Sequence, residues 1–178
     1  PKKNIKEICG RPLIDYTIEA VFKSQYYNGK NYFISTDSHE IANVCARQGV
    51  QLEANRPDCL SSDAAPSGAA LKHATYAAER INGKRYELVV EVMVTNPFKT
   101  ADDIDRCIDL LLRDNRFSSV VAVRRVFDEH PSRIKYLDDD GRLMSFWPEV
   151  LESRRQDLSP PAFIRAGSVY AVRRTLID

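Results

Sequence analysis

The sequence is short of sulfur and histidine, carries no long apolar run and no block of like charge, and each shortage closes off a class of function. Its 178 residues include four cysteines, three histidines, two methionines and one tryptophan. Cys9, Cys45, Cys59 and Cys107 lie far apart, without C-x-x-C spacing or flanking histidines. They read as reduced thiols of a cytoplasmic protein, not as a zinc site or a disulfide frame. His39, His73 and His130 are scattered and read as surface or satisfied structural histidines, although His130-Pro131 opens a segment of changed character. No stretch approaches the ~20 apolar residues that a membrane span needs, and no secretory leader pattern is visible. A net charge of +1 without a long Lys/Arg run leaves no electrostatic footprint for nucleic acid. Lys2-Lys3 reads as a solvated pair, or alternatively as a phosphate contact at a loop. G-x-G-x-x-G, G-x-x-x-x-G-K-[ST] and G-x-S-x-G are all missing, so a dinucleotide fingerprint, a P-loop and a serine-hydrolase elbow are excluded.

What is present is an ordinary globular composition, 43% hydrophobic and 29% charged, at a length that suits one domain. Gly10-Arg11-Pro12 opens a helix whose apolar stripe is Ile14, Ile18, Val21 and Phe22. Asn31–Ser35 reads as a strand. Asp37 with Glu40 resembles a capping box for a helix lined by Ile41, Val44 and Cys45 and stopped at Gly49. Val50–Leu52 is a short strand, 56–68 a loop, and Ala69–Ile81 an Ala-rich helix. The apolar run Tyr86–Val94 is a strand that stops at Thr95-Asn96-Pro97. Thr100 with Asp103 caps a further helix with the stripe Ile104, Cys107 or Ile108, and Leu111, and Ser119–Val123 is another strand. Strand and helix therefore alternate to about residue 125, the pattern of an α/β domain with a mostly parallel sheet covered on both faces.

The last third differs. RIKYL, DDDG and RLMSF read as a hairpin, a polar Arg/Pro-rich stretch follows, and SVYAV returns as a strand before a helix that begins near the end. The segment 130–160 reads as an insertion, an arm that packs on a second subunit. In open α/β sheets ligands sit outside the carboxyl ends of the strands, which selects the loops containing STD, TNP, RPDCLSSDAAPS and RRQD. Glu91, Met93 and Thr95 alternate and so share one strand face leading to such an edge. The polar candidates are Lys3, Asn4, Arg56, Ser67, Arg133, Arg154, Arg155, Gln156 and Arg165, and arginine forks suit phosphate and carboxylate. Two anionic partners, such as a nucleoside triphosphate and a sugar acid, would account for so many. Two adjacent arginines in RRQD exceed what a salt-bridged turn needs.

Six stretches in order carry a resemblance to the acylneuraminate cytidylyltransferases, the CMP–sialic acid synthetase family. They are PKKNIKEICGRPLIDYTIEA, ISTDSHEIA, RPDCLSSDAAPS, EVMVTNPFKTADDID, EHPSRIK and RRQDLSPPAFIRAGSVYAVRR. The resemblance implies a three-layer, Rossmann-like nucleotidyltransferase fold with an inserted dimerisation hairpin. It implies transfer of CMP from CTP to the anomeric hydroxyl of a nine-carbon α-keto sugar acid, with Mg²⁺ and release of pyrophosphate, in a cytoplasmic homodimer. Carried over by position, Lys3, Asn4, Arg56, Ser67 and Thr95 bind the nucleotide. Met93, Asn96, Arg133 and Arg165 meet the sugar acid, and Arg154, Arg155 and Gln156 lie at the transferred phosphate. Met93 stands where the family usually has glutamine, and the TNP-x-KT form is closer to the legionaminic acid branch. Ala166 replaces the asparagine usual before Gly167. The resemblance also places a first strand and a nucleotide loop ahead of residue 1, and metal-binding aspartates beyond residue 178. Two other readings stand beside it: a cytidylyltransferase for the eight-carbon acid of lipopolysaccharide, separable by a panel of sugar acids, and a non-catalytic dimerising module derived from the enzyme, separable by the sequence beyond both ends.

Overall fold

The computed structural model describes residues 2–52, 56–62, 65–148 and 154–178. Glu53–Asn55, Asp63–Ala64 and Glu149–Ser153, which belong to the RPDCLSSDAAPS loop, its approach and the polar stretch before RRQD, lie outside the described residues. The chain forms two compact units, Pro1–Ala122 with Gly167–Asp178, and Val123–Ala166.

In the larger unit, a 3₁₀ turn Lys3–Ile5 precedes a small antiparallel pair, β1 (Glu7–Ile8) and β2 (Arg11–Pro12). Helix α1 spans Leu13–Phe22, with Pro12 at its N-cap, where a missing N–H costs nothing. Strand β3 is Phe33–Ile34, shorter than expected, and pairs in parallel with β4 (Gln51–Leu52). Between them lies α2 (His39–Arg47), and its cap is Ser38, not Asp37: Ser38 Oγ accepts from Ile41 N at 3.4 Å. Asp37 is instead drawn to Arg56. Helix α3 (Ser67–Asn82) starts two residues ahead of the expected Ala69 and ends on Gly83, whose left-handed φ of 62° suits the residue without a Cβ.

Strand β5 is Leu88–Val92, and α4 is Ala101–Arg113. The predicted capping box is present in full, with Thr100 Oγ1 accepting from Asp103 N at 3.2 Å and Asp103 Oδ2 accepting from Thr100 N at 2.8 Å. Strand β6 (Ser119–Val126) and the long β9 (Ala162–Arg173) complete a sheet of order β5–β9–β6. β9 runs antiparallel to β5, with Glu91 opposite Tyr170. β6 is not covered on both faces as expected; its residues alternate, and Val121 and Val123 are exposed.

The periodicities place the core. Leu88, Val90 and Val92 face Ala20 and Val21 of α1 and Ile104, Cys107, Ile108 and Leu111 of α4. Ile14 and Ile18, on another side of α1, pack on Cys45 of α2 and on Val50. Val89 and Glu91, one residue out of phase, face the side of α3. Helices thus lie on both faces of the sheet, as the three-layer expectation requires. Leu111 is wholly buried; a side chain of that kind contributes about 1.5–3 kcal/mol. Cys45 and Cys107 sit on the helix stripes as expected, and burial pushes the Cys45 thiol up to about 11.

In the smaller unit, β7 (Lys135–Leu137) and β8 (Leu143–Ser145) form the expected antiparallel hairpin. His130 is buried and satisfied, with Nδ1 at 2.8 Å from Ser132 Oγ and Nε2 at 2.9 Å from the Pro160 carbonyl oxygen. That matches the structural reading of this histidine.

Candidate functional site

The larger unit has a cleft of about 470 Å³ between β3, β5 and α3. Its body is walled by Phe33, Ile34 and Leu88–Val92, with Ala70, Leu71 and Ala74 of α3. Its mouth is polar: Ser35 at the end of β3, Arg56, Ser61 and Ser62 from the following loop, and Ser67 at the start of α3. The carboxyl ends of the strands set this division, because the alternating apolar pattern stops there and the turn residues begin.

Arg56 is the fixed cation of the mouth. Its Nε donates to Ser61 Oγ at 3.1 Å and its guanidinium to Asp37 Oδ1 at 3.0 Å, and its side chain is 24% exposed. A guanidinium held on two sides presents its remaining donors in one direction, the arrangement a phosphate or a carbonyl-rich base can use. Ser35 Oγ is buried without a hydrogen-bond partner among the described residues. Sequence reasoning singled out Arg56 and Ser67, and reached Ser35 only as part of the STD loop.

The Thr95-Asn96-Pro97 turn follows β5 directly, and Val94 ahead of it lines the cleft. Thr95 is exposed, while Met93 and Asn96 are half-buried. Met93 extends the ladder by one bond, its N–H donating to the Ser168 carbonyl at 2.8 Å. Asn96 Oδ1 accepts from Phe98 N at 3.1 Å. Beneath the turn lies Lys99, which sequence reasoning did not select. It is 6% exposed, and desolvation lowers its ammonium to about 8. Lys3 is exposed on the first 3₁₀ turn, which packs against α1 and α2, and Lys2 pairs with Glu40 at 2.5 Å. Asn4 Oδ1 is buried without a hydrogen-bond partner among the described residues.

Glu91 lines the cleft, and burial pushes its carboxyl up. No described side chain bonds to it. Among the described residues lining the cleft it is the one carboxylate, set between valines of β5.

Arg133, Arg154, Arg155, Gln156 and Arg165 belong to the smaller unit. Arg133 donates to Asp128 at 3.2 Å. Arg154 Nε donates to Asp157 Oδ2 at 2.7 Å across the 3₁₀ turn Arg155–Asp157, so one of the paired arginines serves its own turn. The Arg155 guanidinium stacks 4.4 Å from the centre of the Phe127 ring, and Gln156 and Arg165 are exposed. Among the described residues, no group of three or more His, Cys, Asp or Glu side chains could hold a metal ion, and no helix is long and apolar enough to cross a membrane.

The chain is similar to known cytidylyltransferases. The chain is 29% identical over 160 residues to the N-acylneuraminate cytidylyltransferase of Streptococcus agalactiae serotype V, covering 90% of this chain and 37% of that protein. It is 28% identical over 170 residues to the pseudaminic acid cytidylyltransferase of Campylobacter jejuni, covering 96% of this chain and 71% of that protein. Among solved structures, a CMP:2-keto-3-deoxy-manno-octonic acid synthetase complexed with CTP matches 98% of this chain and 68% of its own, with a TM-score of 0.65 at 14% identity. The 4-diphosphocytidyl-2C-methyl-D-erythritol synthase of Anaerococcus prevotii matches 97% of this chain and 67% of its own, with a TM-score of 0.61, also at 14% identity. These two establish the nucleotidyltransferase fold. The chain thus spans little more than a third of the length of the N-acylneuraminate relative. The cytidylyltransferase family model matches residues 1–177, nearly the whole chain, and the protein belongs to that family.

Proposed function

We propose that the protein transfers CMP from CTP to the anomeric hydroxyl of a nonulosonic acid, a nine-carbon α-keto sugar acid of the sialic or legionaminic type, releasing pyrophosphate. The observation that carries this reading is the doubly held Arg56 at the serine-lined mouth of the cleft. A polar mouth at the carboxyl edge of the sheet has the chemistry of a nucleoside site.

In this reading Lys3, Asn4, Arg56, Ser67 and Thr95 bind the nucleotide. Met93, Asn96, Arg133 and Arg165 meet the sugar acid, whose carboxylate needs a guanidinium. Arg154, Arg155 and Gln156 act at the α-phosphate. The anomeric oxygen forms a bond to the α-phosphorus, the bond from that phosphorus to the bridging oxygen breaks, and pyrophosphate leaves with the electron pair. The hydroxyl proton passes to solvent. Such a transfer needs in-line placement and charge neutralisation more than covalent catalysis. Mg²⁺ belongs to the expectation, but the described residues offer it no acidic cluster.

The hairpin exposes Tyr136, Leu137, Leu143, Met144, Phe146 and Trp147. An apolar surface of that kind on a short hairpin is best covered by a second copy of the chain, which supports a homodimer.

The test is a coupled pyrophosphate assay with CTP and a panel of sialic, legionaminic, pseudaminic and eight-carbon 3-deoxy acids. Turnover with CTP that depends on a nine-carbon acid is expected. Pyrophosphate release without any sugar acid, or with all four nucleotides alike, would sink the reading. Preference for the eight-carbon acid would move the protein to the other branch of the fold.

A further inference from the structure

The Lys99 ammonium has an arrangement that the proposed chemistry does not use. It is buried, yet among the described residues no carboxylate pairs with it; its partners there are three uncharged oxygens. Nζ donates to Thr17 Oγ1 at 2.7 Å, to the Met93 carbonyl at 2.8 Å and to the Asn96 carbonyl at 2.6 Å. An ammonium has three N–H donors, so its capacity is filled. The three acceptors come from three places: the middle of α1, the last ladder residue after β5, and the turn itself. Thr17 is 1% exposed and sits among Ile14, Ile18 and Val21, a hydroxyl on an otherwise apolar stripe.

Burying an unpaired cation opposes folding, and an apolar side chain would fill the same space without that penalty. What the lysine supplies instead is geometry. Two carbonyls that bracket Thr95 are drawn to one point and tied to a core helix. Asn96 is held a second time, through its side-chain oxygen and Phe98 N at 3.1 Å. Phe98 itself is 91% exposed, so the turn has little apolar packing of its own to define it. The site groups carried by this turn are the Thr95 hydroxyl and the Asn96 amide, and Lys99 bonds to the side chain of neither.

We propose that Lys99 is a positioning residue for nucleotidyl transfer, clamping the Met93–Asn96 backbone to Thr17 of α1 and so fixing where Thr95 and Asn96 meet the substrates. The role assigned to the turn rests on the function proposed above; the clamp itself does not. Lys99→Met keeps the stem and removes the donors, and Thr17→Val removes one acceptor without changing shape. Two readouts are taken on each: amide hydrogen exchange across residues 95–98 without substrate, and steady-state kinetics with CTP and a nine-carbon sugar acid. In Lys99→Met, exchange at Asn96 and Phe98 is expected to quicken by at least roughly tenfold. The kcat/KM for the sugar acid is expected to fall about 100-fold, the scale of a small misplacement, while KM for CTP, which Thr95 shares with Lys3, Asn4, Arg56 and Ser67, rises by no more than about threefold. Thr17→Val moves both readouts the same way by less, and it decides the matter if Lys99→Met does not fold. Unchanged exchange in both variants overturns the proposal, as does a loss that falls equally on both substrates. A wild-type protein inactive with every nine-carbon acid overturns the proposed function instead, and leaves the exchange measurement to judge the clamp.

Discussion

Removing Arg174 tests how the end of β9 is tied to the helix that walls the cleft. Arg174 directly follows β9 and is 4% exposed. Its Nε and Nη2 grip both oxygens of Glu79 on α3, at 2.8 and 3.1 Å, and Nη1 donates to Asp178 Oδ1 at 2.7 Å. The guanidinium also lies 4.9 Å from the centre of the Tyr76 ring. Glu79 is 14% exposed in its side chain and accepts from Tyr86 N at 3.1 Å. Arg174→Met leaves that carboxylate in place with one backbone donor, the situation in which breaking a buried pair costs about 3–5 kcal/mol. For a chain of this size each kcal/mol moves the melting temperature by roughly 2–4 °C, so a drop of about 6–20 °C is expected by thermal denaturation followed by circular dichroism. The double variant Arg174→Met/Glu79→Leu removes both charges and is expected to recover most of the loss. A single variant within about 1 kcal/mol of wild type would refute the reasoning, and so would a double variant no better than the single. The arginine holds the Glu79 carboxyl below its ordinary value of 4.5. The bridge therefore contributes fully above that value, and the gap between wild type and Arg174→Met narrows as acid protonates Glu79 through its lowered folded pKa.

Four further outcomes are expected. Arg155→Ala cuts turnover by about 10²–10³-fold, the scale for one well-placed donor, and leaves the circular dichroism spectrum unchanged because the side chain is exposed; retained activity would remove RRQD from the phosphate site. Met93→Gln shifts the ratio of kcat/KM values toward sialic acid; an unmoved ratio in the sugar panel would reduce Met93 to packing. Because Lys99 is lowered to about 8 from 10.5, the unfolded chain binds the extra proton between those values, so stability rises across that window and the rise is missing in Lys99→Met denaturation curves. Leu137→Glu with Leu143→Glu, at side chains 67% and 70% exposed, yields a monomer by light scattering, whereas an unchanged mass would clear the hairpin of a subunit contact.

The elements with long, regular patterns were legible before any coordinates. The α4 stripe, its Thr100–Asp103 box and the hairpin around DDDG follow from local rules of side-chain period, capping and turn chemistry. Arg56 and Ser67 were candidates as polar groups of a strand-end loop, and both line the cleft. Local pattern erred where neighbours compete. Asp37 and Ser38 both offer a cap to α2, and Arg56, distant in sequence, takes the aspartate away.

What this sequence determines by itself is the list of elements and the chemical inventory of their ends, since both depend on residues a few positions apart. Glu91 was visible as an anomaly in a run of valines, but its place inside an apolar wall, and the upward push on its carboxyl, needed the cleft. Lys99, Thr17, Arg174 and Glu79 read as ordinary residues of loop and helix. Their roles exist only because residues about 80 to 95 positions apart come within hydrogen-bond reach. Burial and charge pairing are sums over such non-local neighbours, and that is the part of the physics a linear pattern does not contain.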